Sequence, residues 1–180
     1  GYFYLYATGG NTWIHKSKDL VHWTYVGGAY EDDKKPSWEP EAGIWAPDIN
    51  YINGKYVMYY SLSKWGGGAT CGIGVSVSDK PEGPFTDQGK LFRSNEIDVH
   101  NSIDPFYIED NGKKYLFWGS WYGIWGIELT EDGLGLKGGI ENAKATKIQV
   151  AANTGGTNAY EGSYILKRGK YYYCLLYTSD

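Results

Sequence analysis

Gly54-Lys55-Tyr56, Gly112-Lys113-Lys114-Tyr115 and Gly169-Lys170-Tyr171 each open an aromatic stretch. Their tyrosines, at 56, 115 and 171, recur at intervals of 59 and 56 residues, and a related stretch, Gly1-Tyr2-Phe3-Tyr4-Leu5-Tyr6, opens 54 residues ahead of Tyr56. A Gly-Lys turn that launches alternating aromatic residues is a hairpin signal. A repeat of this length built from short strands points to propeller blades rather than to a helical solenoid. An acidic residue precedes each tyrosine: Asp48 by 8 residues, Asp104 by 11 and Glu161 by 10. If each acid stands on the innermost strand of its blade, all three point toward one axis and share a pocket.

Working outward from these turns, Tyr2–Thr8 and Asn11–Ser17 read as strands around a Gly9-Gly10 turn, with an outer strand near Trp23–Val26. The charged stretch Glu31–Glu41 reads as a surface loop between blades. The second unit holds strands at Ala46–Ile52, Lys55–Ser63 and Gly72–Ser78, with Asn53-Gly54 as the hairpin turn and an edge strand after Pro81–Phe85. The Gly-rich loop Lys64–Thr70 is either a substrate-facing rim or a plain connection. The third unit repeats the plan with Ile103–Glu109, Lys114–Trp121 and Gly123–Thr130, and a fourth begins with Glu161–Lys167 and Tyr171–Tyr173. Blade boundaries fall near 1–30, 43–92, 100–150 and 159–173. No segment carries helical periodicity over more than two turns, so the fold class is all-β. The last seven residues, Cys174–Asp180, fit the alternation poorly, so the strand is expected to end at Tyr173 and Cys174 to have no role.

Composition narrows the chemistry. The 180 residues include 26 Gly against 6 Pro, with 18 Tyr and 8 Trp, so turns are frequent and flat aromatic faces abundant. Such faces pack strand cores and also stack on sugar rings. Net charge is −4, from 21 acids and 17 scattered bases, so no basic patch addresses nucleic acid. No apolar run has the length of a membrane span. Cys71 and Cys174 make neither a disulfide framework nor a zinc pattern, and three scattered histidines give no metal cluster. Phosphate-cradling, nucleophile-elbow and dinucleotide motifs are absent, which leaves phosphoryl, acyl and hydride transfer without residues.

Glu161 lies in Ala159-Tyr160-Glu161-Gly162-Ser163-Tyr164. A carboxyl among aromatic and small residues is partly desolvated, which raises its pKa and suits a general acid for a glycosidic oxygen. A surface glutamate ahead of a strand explains the same pattern. Asp104, in Asn101-Ser102-Ile103-Asp104-Pro105, and Asp48, in Trp45-Ala46-Pro47-Asp48, each sit beside a proline, where a turn is the structural alternative. His100 reads as a polar structural contact.

These motifs, with Tyr115-Leu116-Phe117-Trp118-Gly119-Ser120, Tyr160-Glu161-Gly162-Ser163-Tyr164-Ile165, the opening Tyr2–Thr8 and Ser17-Lys18-Asp19-Leu20-Val21-His22-Trp23, resemble glycoside hydrolase family 43. Gly119-Ser120-Trp121-Tyr122-Gly123-Ile124 followed by Ile127-Glu128-Leu129 is most similar to its endo-α-1,5-L-arabinanases. The resemblance runs from residue 1 to about 173. It implies a five-bladed propeller, truncated here to roughly three to three and a half blades, that hydrolyses arabinan-type polysaccharide with inversion. It implies Glu161 as general acid and Asp104 as the residue that tunes and orients that acid. Trp45, Ala46, Pro47, Asn101, Ser102, Ile103 and Ser120 would line the sugar pocket, with Asp48, Trp121 and Tyr160 completing the substrate-binding set.

The family's general base, an Asp on the first strand of blade one, would precede Gly1, and the repeat extended backward asks for an acid there too. Without it these 180 residues are expected to be inactive, because inversion needs a base carboxylate about 6.5–9.5 Å from the acid. No cofactor is expected beyond a structural calcium in the full-length enzyme, held through a histidine of the last blade. Three blades alone would leave two apolar faces uncovered. The chain opens inside a strand without a signal peptide, so compartment cannot be read from it. By resemblance the full-length enzyme is extracellular or periplasmic. Alternatives remain: an exo-acting β-xylosidase or α-L-arabinofuranosidase, a non-catalytic sugar-binding propeller, or a structural propeller for protein partners.

Overall fold

Every sheet is antiparallel and follows chain order, as short hairpin connections require. The computed structural model describes residues 1–152 and 160–178; Ala159, at the expected start of the fourth unit, and the tail residues 179–180 lie outside them. Strands β1 (Phe3–Ala7), β2 (Trp13–Ser17) and β3 (Trp23–Gly28) form the first sheet. The second contains β4 (Gly43–Ile52), β5 (Lys55–Ser63), β6 (Gly72–Ser78) and β7 (Thr86–Arg93). The third contains β8 (Phe106–Asp110), β9 (Lys113–Trp118), β10 (Ile124–Glu128) and β11 (Ile148–Ala151). The fourth pairs β12 (Tyr160–Arg168) with β13 (Tyr171–Thr178).

The hairpin turns form for a local reason. Asn53 and Gly54 have φ of 48° and 84°, and Asn111 and Gly112 have 51° and 74°. Two consecutive left-handed residues match the twist of the strands they join, and Asn-Gly adopts them at least cost. Each turn therefore fixes the register of its hairpin: Ile52 opposite Lys55, and Asp110 opposite Lys113.

Strand β5 shows why the sheets stack. Val57, Tyr59 and Ser61 face one way, Met58, Tyr60 and Leu62 the other, and all six are buried. Val57 and Tyr59 join Ile73, Phe92, Tyr107, Leu116 and Trp118 in the core between the second and third sheets. Met58, Tyr60 and Leu62 join Ile14, Tyr30, Ile44 and Phe85 in the core between the first and second. Buried polar tips find partners: Tyr59 Oη donates to Gly133 O at 2.8 Å, and Tyr60 Oη to Asp87 at 2.6 Å.

Two short helices, α1 (Ser94–Ile97) and α2 (Gly139–Thr146), depart from the pure strand pattern. They pack on one another beside the main core, and Lys144 pairs with Asp98 at 2.7 Å. At four and eight residues they are too short to print a periodic stripe. Strand β13 also departs from expectation, running to Thr178 rather than ending at Tyr173. The pairing Tyr160↔Thr178 carries the ladder through Leu175 and Tyr177, whose apolar and aromatic side chains suit extended backbone. Apolar side chains stand exposed on the first sheet (Phe3, Leu5, Trp13, Tyr25) and the fourth (Tyr164, Tyr171, Tyr173, Tyr177). No helix among the described residues is long and apolar enough to cross a membrane.

Leu116 has no exposed surface in the main core, whereas Lys113 is exposed on the same strand. Leu116→Ala is expected to cost about 2–5 kcal/mol in urea unfolding and Lys113→Ala less than about 0.5; equal effects would contradict this packing.

Candidate active site

Asp104 and Glu161 lie at the ends of the inner strands remote from the hairpin turns, Asp48 lies within β4, and irregular backbone places them. Past Asp48↔Tyr59 the β4–β5 register slips, resuming at Trp45↔Ser61; past Tyr164↔Leu175 the β12–β13 register slips, resuming at Glu161↔Tyr177. Each slip is a bulge with one extra residue on the inner strand. Counted in pairs from the turn, Glu161 matches Trp45, and Asp48 matches Tyr164. Asp104 precedes β8 and follows Ile103, whose O accepts the Gly119 N–H at 2.8 Å; Ile103 is therefore level with Trp45 and Glu161, and Asp104 is level with Ala46 and Gly162. The three acids are therefore not in phase: along the inner strand Asp48 stands two residues nearer the turn than Asp104 and three nearer than Glu161, in line with its shorter spacing of 8 against 11 and 10.

Two of the three acids are brought together. Asp104 Oδ2 accepts the N–H of Gly162 at 3.2 Å, the amide that follows Glu161. Asp104's own N–H donates to Ser61 Oγ at 2.9 Å. Glu161 is half-buried, and its Oε2 accepts the Ser120 hydroxyl at 3.0 Å. The neighbouring Trp121 N–H donates to Tyr160 O at 2.9 Å. Asp48 faces elsewhere: its Oδ2 accepts the N–H of Tyr107 and the amide of Asn50, both at 2.8 Å.

Electrostatics follow from this burial. Loss of water pushes the Asp104 carboxyl up to about 6; the negative Glu161 adds to the rise, while the Gly162 N–H opposes it. Loss of water also pushes Asp48 up to about 6, against the N–H of Tyr107 and the Asn50 amide. Backbone strain gathers at the same place. Ala46, Asn101, Asp104 and Trp121 have φ of 42°, 55°, 59° and 67°. Such conformations are costly for side chains with a Cβ and persist only where surrounding contacts impose them.

The remaining candidates divide. Ala46 N–H donates to Thr8 Oγ1 of the first sheet at 2.9 Å. Pro47 lines a 360 Å³ groove between the first two sheets, with Tyr4, Tyr6, Asn50 and Tyr56, on the turn side of the bulge. Asn101 ties the rim together, its backbone N–H donating to Gly68 O at 2.7 Å and its amide to Ser120 O at 3.4 Å. Ser102 does not line a sugar pocket: it has no exposed surface, and its hydroxyl donates to Val99 O and accepts from Trp118 Nε1. Ile103 is buried likewise. Prolines and β-branched neighbours around these two residues left their direction unreadable from sequence.

The loop Lys64–Thr70 is a rim of this site. Its far end is held by Arg93, which bonds the buried Glu39 carboxylate, Trp38 O and Thr70 O. Trp65 at its tip is 94% exposed and lies 5.7 Å, centroid to centroid, from Trp45, the residue level with Glu161. Sequence reasoning missed Trp65 because a Gly-rich loop carries no periodicity; an isolated tryptophan within it was the available signal. His100 meets Tyr122 edge-on at 4.7 Å. Among the described residues no group of three or more His, Cys, Asp or Glu could hold a metal ion.

A model of the glycosyl hydrolases family 43 matches residues 1–179. The chain belongs to this family. The arabinan endo-1,5-alpha-L-arabinosidase C of Emericella nidulans is 35% identical over 177 residues, 96% of this chain and 53% of its own length. A probable arabinan endo-1,5-alpha-L-arabinosidase C of Aspergillus clavatus is 34% identical with the same coverage. Among solved structures, an exo-1,5-alpha-L-arabinanase from a bovine ruminal metagenomic library has a TM-score of 0.80 at 33% identity, covering 98% of this chain and 60% of its own. The endo-arabinanase of Bacillus licheniformis has a TM-score of 0.75 at 27% identity, covering 96% and 60%. The sheets are blades of the family-43 propeller, and the chain spans about half the length of the curated relatives it matches.

Burial of Asp48 has a pH signature in this family-43 chain. Its folded pKa, about 6, lies above that of an unfolded aspartate, so its protonated form is favoured on folding. That contribution is complete below about pH 4 and lost as pH rises through about 6. Asp48→Asn keeps an acceptor for the Tyr107 N–H and removes the charge. Its stability relative to wild type is expected to rise by roughly 1–3 kcal/mol between pH 4 and pH 7, measured by thermal unfolding across that range. A constant difference would show Asp48 ionised freely in the fold.

Proposed function

We propose that the whole protein of which this chain is a part hydrolyses α-1,5-linked arabinan with inversion, using Glu161 as the general acid. The observation that carries this reading is the coupling of Glu161 to its neighbours: Asp104 bonds the amide following it, and Ser120 bonds its carboxylate. Glu161 gives a proton to the glycosidic oxygen as the anomeric C–O bond breaks, and the bonding pair stays on the departing oxygen. A base carboxylate on the opposite face takes a proton from the attacking water. That base is proposed to come from the whole protein outside these residues, so the 180 residues alone should not turn over.

Asp104 is proposed to fix the backbone that carries the acid, through its bond to the Gly162 N–H, so that Glu161 stays aimed at the leaving oxygen. The Trp45–Trp65 wall is proposed to hold a sugar ring next to the scissile bond, because Trp65 offers a bare face to solvent. The family-43 relatives named for arabinan support this substrate class. Both endo- and exo-acting arabinanases stand among the similar structures. The open, exposed Trp65 favours a groove that runs past the acid, and hence endo action on an internal bond.

In the whole protein, Glu161→Gln and Asp104→Asn are each expected to lower kcat on linear arabinan by about a hundredfold or more while retaining arabino-oligosaccharide binding. Wild-type turnover in either variant would end the assignment. Trp65→Ala should weaken oligosaccharide binding roughly three- to tenfold, read by calorimetry, with folding intact. A ladder of oligosaccharide products indicates endo cleavage, and arabinose alone indicates exo cleavage.

A further inference from the structure

We infer that Ser120 is the positioning residue of the Glu161 acid, a role that rests on the proposed hydrolysis and differs from the sugar-lining role its motif implies. Ser120 is 1% exposed, so no face of it is offered to a substrate. Its hydroxyl donates to Glu161 Oε2 at 3.0 Å. Three further bonds hold it there: the N–H of Tyr122 donates to Ser120 O at 2.8 Å, the amide of Asn101 donates to the same oxygen at 3.4 Å, and the next residue's N–H, that of Trp121, donates to Tyr160 O at 2.9 Å.

The turn that presents this hydroxyl is built at a cost. Gly119 has φ of 134°, and a Cβ there would lie 2.1 Å from Gly123 O. Trp121 takes a left-handed φ of 67° that its side chain disfavours. A backbone that only glycine can adopt on one side and a strained Trp121 on the other hold this buried hydroxyl in a single geometry, aimed at one carboxylate oxygen.

The chemistry follows from which oxygen is occupied. A hydroxyl that donates to Oε2 leaves Oε1 to carry the proton. When Oε1 passes that proton to the glycosidic oxygen, negative charge develops on the carboxylate. The Ser120 bond then changes from one to a neutral acid into one to an anion, and such bonds are roughly twice as strong. The hydroxyl itself neither gains nor loses a proton. It therefore stabilises the transition state more than the bound substrate, which raises kcat and leaves KM nearly unchanged.

The test compares two substrates in the whole protein carrying Ser120→Ala. A linear arabino-oligosaccharide has a poor leaving group that must be protonated. The corresponding 2,4-dinitrophenyl arabino-oligosaccharide leaves without a proton. Ser120→Ala is expected to lower kcat on the first roughly ten- to hundredfold, with KM within about twofold, and to leave the second near wild type. Glu161→Gln should show the same selectivity more strongly.

Equal losses of the Ser120→Ala variant on both substrates, or wild-type rates on both, would overturn the inference while leaving the hydrolase reading in place. Loss of leaving-group selectivity in Glu161→Gln, or a wild-type protein that cleaves neither substrate, would instead bring down the proposed function and this inference with it. Retained secondary structure and melting temperature establish that Ser120→Ala folds.

Discussion

Backbone N–H groups of each inner strand reach back to side-chain oxygens of the sheet before it, and the whole arrangement depends on that exchange. Ala46 N–H donates to Thr8, Asp104 N–H to Ser61, Tyr107 N–H to Asp48 and Gly162 N–H to Asp104. Inner strands at the mouth of a propeller have no neighbour strand on their free side, so their amides would otherwise lose water without a partner. An unpaired buried N–H costs about 1–3 kcal/mol. Short side-chain oxygens from the preceding blade satisfy those amides and, in doing so, set the angle and height at which one blade follows the next.

This solution also concentrates charge where the chemistry is proposed. Asp104 serves two neighbours at once, tied to Ser61 behind it and to Gly162 ahead. Its carboxyl is shielded from water by both sheets and raised to about 6. Asp48 does the same work one step earlier, clamping β8 through Tyr107, but no proposed chemistry reaches it. The two acids differ by two positions along the inner strand: Asp48 is level with Phe106, and Asp104 with Ala46. The level that carries Glu161 in the fourth sheet carries Ile103 in the third and tryptophan in the second.

That substitution of an aromatic ring for a carboxylate gives the mouth its character. Two acidic groups stand on one side, and Trp45 with the exposed Trp65 on the other. A sugar chain needs both: an apolar face to stack on, and a proton donor held at fixed height beside its glycosidic oxygen. The Arg93–Glu39 pairing, buried under the rim, holds the loop that bears Trp65 without entering the mouth itself.

Local chemistry was legible in the chain alone. Asn-Gly turns fix their own hairpins, so strands Lys55–Ser63 and Gly72–Ser78 could be read to the residue, and the motifs around Asp104 and Glu161 named the family. Anything that depends on a shift of one residue, or on which way a buried side chain turns, was not. Asp48 passed for a third converging acid because both aspartates stand beside a proline, although Pro47 precedes Asp48 and Pro105 follows Asp104. Ser102 and Ser120 look alike in their motifs, yet one bonds Trp118 within the core and the other bonds Glu161. Sequence period sets which residues share a face, but only packing against the next blade decides which oxygen meets which amide.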